Sequence, residues 1–190
     1  MTTLPDLLED LEDECADLRR LVAPLGDDAR EWDPPTPAEG WAVRDQISHL
    51  AFFDDAGRMA MVEPERFARS VEEAMAKGGD PMEEHLALGR SMSGHGLLEW
   101  WDRAHRGMVE AFTGADPTAR VPWFGPPMGV LSFVSARLME PGPTARTSPT
   151  RSARSADRAT ACATSPIWGS GYAPSPTSSA ADSHRPGAST

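Results

Sequence analysis

Five histidines and two cysteines are the side chains of this 190-residue chain best suited to hold a metal or carry a proton. His49 stands apart from the rest. It lies in the stretch Gly40–Phe53, where Val43, Ile47, Leu50, Ala51 and Phe53 recur at helical spacing, so one face of the segment turns inward with the imidazole at its edge. An inward imidazole needs a partner: it is either a core histidine hydrogen-bonded to a carbonyl or carboxylate, or a ligand to a divalent metal. His85, His95 and His105 form no HxxxH or HExxH pair, and their mixed polar surroundings assign them to the surface or to helix caps. Cys15 and Cys162 lie far apart in dissimilar contexts, which gives neither a disulfide framework nor a CxxC pair, and both are read as passive.

The elements that must position His49 are helices. Leu4, Leu7, Leu8, Leu11, Cys15, Leu18 and Val22 predict an amphipathic helix over 3–23, its acidic residues crowding the first half and Arg19 and Arg20 the end, as the helix dipole favours. Pro24, Gly26 and the run Asp33–Pro37 end it, and a second helix is expected over 41–62. Pro64 suits the first turn of a weakly amphipathic helix over 65–77, closed by Gly78–Pro81. Helix resumes over 82–113 with a break or re-capping point at Ser93–Gly96, and Asp102 and Arg106 are spaced for a surface ion pair. Arg120–Met128 reads as a stiff aromatic connector, and from 129 onward a last helix begins. Pro141 disfavours helical backbone in the residue before it, so this helix should end at or just before Glu140, which should fray.

The pattern Trp41-x-Val43-Arg44-Asp45-x-Ile47-x-His49-Leu50 resembles the second helix of the DinB-like, mycothiol-dependent maleylpyruvate isomerase type of metal-binding domain. That resemblance implies an all-α, DinB-like four-helix bundle made from segments 3–23, 41–62, 82–113 and 129 onward. It also implies that His49 binds a divalent metal, Zn or a similar ion, and that a later helix supplies a glutamate and, four residues on, a second histidine. Glu140 corresponds to the glutamate, but the histidine position holds Thr144. The metal site is therefore expected to be incomplete in this chain, with His49 and Glu140 as its remaining ligands. Further implications are mycothiol as a thiol cofactor, a small-molecule or thiol substrate, and either isomerase or thiol-transferase activity or metal binding without catalysis. By the same analogy, Trp123 and Phe124 would wall the pocket.

Composition bounds these readings. A hydrophobic content of 39% and a net charge of −11 fit a soluble domain and oppose a nucleic-acid partner, since phosphate backbones repel an acidic surface. No apolar run is long enough for a bilayer and the N-terminus lacks a charged n-region and an apolar h-region, so the expectation is a cytoplasmic protein with no membrane partner. From Pro141 the chain contains no Leu, Val, Met or Phe and is rich in Ser, Thr, Ala, Pro, Gly and Arg. This divides it into a helical domain over 1–140, its last helix truncated, and a low-complexity tail over 141–190 expected to be disordered. The tail also has the form of a translational frame change. Back-translated with GC-rich codons, Pro141–Thr147 can be read one frame away as Trp-Ala-His-Gly-Gln-Asp, the phrase that follows the glutamate in the resembling family, and Thr160–Gly169 as Arg-Leu-Arg-His-Ile-Ala-His-Leu-Gly.

Overall fold

A computed structural model describes residues 2–78 and 81–140. Its elements are α1 (Leu4–Val22), α2 (Ala29–Trp32), α3 (Val43–Val62), α4 (Pro64–Lys77), α5 (Pro81–Ser91), α6 (Gly94–Phe112), the two-residue strands β1 (Arg120–Val121) and β2 (Met128–Gly129), and α7 (Val130–Met139). α3 packs most extensively against α6, and α1 against α7, which gives a four-helix bundle with α4 and α5 laid along α3. The expected all-α bundle is therefore present, and the tail over 141–190, for which disorder was expected, lies outside the described residues.

Local sequence explains where the elements start and stop. Thr3 caps α1, its hydroxyl accepting from the Asp6 N–H while Asp6 Oδ2 accepts from the Thr3 N–H at 2.8 Å. The apolar stripe from Leu4 to Val22 is buried, each leucine contributing about 1.5–3 kcal/mol. α4 starts on Pro64 and ends at Gly78, whose φ of +66° is a left-handed cap that a side chain resists. Ser93 re-caps the chain at the expected break, accepting from the Gly96 N–H at 3.1 Å. Between α1 and α3 the sequence predicts only a break in helix. The structure adds a single 3-10 turn at Ala23–Leu25 and the short α2, which seats Trp32 in the core with its indole N–H donating to the Gly26 carbonyl at 2.9 Å. β1 and β2 clasp the aromatic connector into a hairpin that leads straight into α7.

Two expectations about charges need correction. Asp102 is bound by Arg19 of α1, whose Nε lies 2.9 and 3.1 Å from the two carboxylate oxygens, because the facing helix offers a better-aligned donor than the helix's own next turn. α7 does end at Met139 with Glu140 as its C-cap, but the Glu140 side chain does not fray: it is half-buried and tied to Arg137 and His49.

Arg137 is the unusual residue of α7. It faces inward with Val130, Phe133 and Val134, and its guanidinium is buried against Asp54 of α3, Nε at 3.0 Å and Nη2 at 2.7 Å from Oδ1, with Nη2 also 3.1 Å from the Leu50 carbonyl. Burial alone would raise the Asp54 pKa, but the Arg137 charge, helped by the nearby His105 imidazole, holds the carboxyl below the ordinary aspartate value. One turn further along α3, Gly57 makes room for the Phe133 ring, which a Cβ at that position would strike.

Three outcomes are expected. Asp54→Ala leaves the buried Arg137 guanidinium with only the half-buried Glu140 as its anionic partner and should cost about 3–5 kcal/mol in urea unfolding. Gly57→Ala should cost about 1–3 kcal/mol in the same assay through overpacking. Because the folded Asp54 carboxyl has the lower pKa, the unfolded chain takes up its proton first; this contribution is complete above about pH 4 and is lost as pH falls below it. Melting followed by circular dichroism should show that loss, and a variant lacking both Asp54 and Arg137 charges should show less of it.

Candidate metal centre

α3 carries His49 to the edge of the core, where its ring is enclosed by aromatic neighbours. Trp41 stands edge-on at 5.2 Å between centroids, Phe53 lies at 4.5 Å and His85 at 6.0 Å. The other residues of the Trp41–Leu50 motif do structural work. Arg44 ties α3 to α2 and its C-cap through Asp33 at 3.0 Å and the Ala29 carbonyl at 3.0 Å. Asp45 closes the helix start by accepting from the Ala42 N–H at 2.9 Å, and its other oxygen binds Arg90 of α5 at 2.8 Å. Ile47 and Leu50 are core. This division leaves His49 as the motif's chemically available group.

The two residues expected to be ligands do come together. His49 Nε2 and Glu140 Oε2, supplied by α3 and the end of α7, are 3.5 Å apart, with both side chains partly shielded. His49 Nδ1 is buried and has no hydrogen-bond partner among the described residues. Burial pushes the Glu140 carboxyl up, but the Arg137 charge, followed by the interaction with His49, brings it below the ordinary glutamate value, so it is an anion at neutral pH. The oxygen that faces His49 also accepts from Arg137 Nη1.

Two donors bound at 2.0–2.2 Å to a tetrahedral ion stand about 3.4 Å from each other, so the observed spacing fits two corners of such a site. A third corner is missing. Among the described residues no three His, Cys, Asp or Glu side chains are placed to share an ion. Thr144, where the resemblance puts a histidine, lies outside them.

Trp123 and Phe124 form an aromatic wall, but behind Phe53 rather than against His49 itself. Their rings lie 5.9 and 5.6 Å from Phe53, and Phe67 stacks on Trp123 at 5.8 Å. The surface roles expected for two other histidines are wrong. His85 is buried, stacked on Phe52 at 4.4 Å, because α5 folds back onto the same face of α3 that carries His49. His105 is shielded beside Asp54, its Nδ1 3.5 Å from Oδ2. Neither placement follows from spacing along the chain, since both depend on which helix packs opposite. His95 is exposed, near Glu99 at 3.2 Å, as expected. Cys15 is buried in α1, and burial pushes its thiol well up, which disfavours the thiolate as a passive role requires.

The family model described as the mycothiol maleylpyruvate isomerase N-terminal domain matches residues 11–141. Uncharacterized proteins from two strains of Mycobacterium tuberculosis are each 37% identical over 132 residues, which cover 69% of this chain and 50% of theirs. The chain thus spans about half the length of the curated relatives it matches. Crystal structures of the mycothiol-dependent maleylpyruvate isomerase and of a histidine-to-alanine mutant of it superpose with TM-scores of 0.58 and 0.57 at 17% identity, covering 76% of this chain and 60% of those chains, a likeness of fold. With the match running from α1 to the end of α7, the chain belongs to the mycothiol maleylpyruvate isomerase N-terminal domain family.

Proposed function

We propose that residues 2–140 form a divalent-cation-binding helical domain in which His49 and Glu140 supply an incomplete, two-donor seat, with zinc the best-suited ion. The observation that carries this reading is the 3.5 Å approach of His49 Nε2 to Glu140 Oε2, from side chains on two helices far apart in sequence. Imidazole nitrogen and carboxylate oxygen are both ordinary zinc donors, and the aromatic residues around His49 would limit water at the ion. A bound ion would supply Lewis acidity and a lowered pKa for a coordinated thiol. The mycothiol dependence of the solved isomerases supports mycothiol, or a similar small thiol, as the molecule such an ion would meet. The net charge of −11 supports a small-molecule partner over nucleic acid.

Affinity should be low, since catalytic zinc sites use three protein ligands and this one offers two. Isothermal titration with zinc should give weak binding that His49→Ala abolishes. Tight, stoichiometric zinc that survives this substitution would overturn the assignment.

A second reading is favoured by where the family match stops. It ends at residue 141, the point from which Leu, Val, Met and Phe are missing and where GC-rich codons permit a Trp-Ala-His phrase in a shifted reading frame. On this reading a single-base loss after codon 140 has removed the third ligand and the rest of the last helix. Restoring the base should place a histidine four residues after Glu140 on the same helical face, raise zinc affinity by orders of magnitude and raise the melting temperature of the metal-free chain. If the repaired chain gains neither, the frame change is wrong.

A further inference from the structure

Resting on the two-donor reading, we propose that Arg137 is a positioning residue that aims the Glu140 carboxylate at His49, and that Asp54, with His105 behind it, fixes Arg137 for this task. Glu140 is the C-cap of α7, at a helix end where a glutamate side chain ordinarily spreads over several rotamers. Here it does not. The Arg137 fork is fixed on one side by two contacts to Asp54 Oδ1, at 3.0 and 2.7 Å, and by the Leu50 carbonyl at 3.1 Å, which leaves Nη1 directed at Glu140 Oε2. His105 Nδ1, from α6, stands 3.5 Å from the remaining Asp54 oxygen.

Leu50 and Asp54 lie on the helix that carries His49. The fork therefore registers Glu140 of α7 against the same helix as its partner donor. The charges bear on the task as well. Asp54 offsets part of the Arg137 charge, so the Glu140 carboxylate is shared between the guanidinium and a cation beside His49. A carboxylate oxygen has two lone pairs, and one engaged by a guanidinium leaves the other for an ion, the usual arrangement of a ligand oriented by an outer partner.

A role limited to docking α7 predicts lost stability alone. To separate the two, Asp54→Asn/Arg137→Met removes both charges together and leaves neither buried without its partner. Nitrogen-15 NMR of the metal-free parent should show His49 protonated at Nε2, facing Glu140, and the double variant should lose that preference. Zinc titration of the two chains should show the variant weaker by about ten- to hundredfold. If the double variant does not fold, Arg137→Lys, which keeps the charge and loses the fork, gives the same two readouts. Unchanged His49 signals with unchanged zinc affinity would overturn the positioning role. A changed His49 preference in chains that bind no zinc would uphold the positioning and overturn the cation-binding reading.

Discussion

The buried ion pair between Arg137 and Asp54 is the constraint on which the rest of this domain depends. Placing a guanidinium inside a helical bundle costs several kcal/mol of lost hydration, and attraction to one carboxylate offsets this only when the remaining N–H groups also find acceptors. Here they do, at the Leu50 carbonyl and at Glu140. α7 is short, and Arg137 shares its inward face with Val130, Phe133 and Val134. The pair therefore fixes rotation and register where apolar packing alone would tolerate sliding, while Gly57 opens the gap that lets Phe133 settle against α3.

From that docking follows the geometry at the edge of the core. With α7 fixed on α3, Glu140 comes down beside His49, and the aromatic hairpin immediately before α7 is drawn over Phe53 and Phe67. The same arrangement sets an opposition. The oxygen that would serve a metal is already shared with a cation of the protein's own, so any ion bound here competes with, or is oriented by, a guanidinium. That distinguishes this seat from one built of three converging ligands with nothing else to satisfy.

The bundle itself was legible because its signals are local and repetitive. Seven apolar residues at helical intervals specify α1, Pro64 and Gly78 bracket α4, and Ser93 marks the start of α6, each through backbone chemistry acting within a few residues. Trp32 was not legible: a lone tryptophan in a proline-rich stretch carries no period, and only the carbonyl of Gly26 and the gap at Gly94 explain its burial. The partner of Asp102 is hidden from the sequence for a related reason. An i,i+4 neighbour is visible in the chain, whereas Arg19, on another helix, reaches Asp102 only in the folded bundle.

The same division holds at the site. The sequence by itself determined that His49 lies on the edge of an inward helical face, that the last helix stops at Glu140 because a proline follows, and, through the Trp41–Leu50 motif, the family. Tertiary structure alone decided that His85 is buried beside His49, that His105 backs Asp54, and that Arg137 stands between Asp54 and Glu140. The physical reason is range: helical period and capping act over one or two turns, while the partner of a buried charge is set by whichever side chain the packing of separate helices brings within about 3 Å.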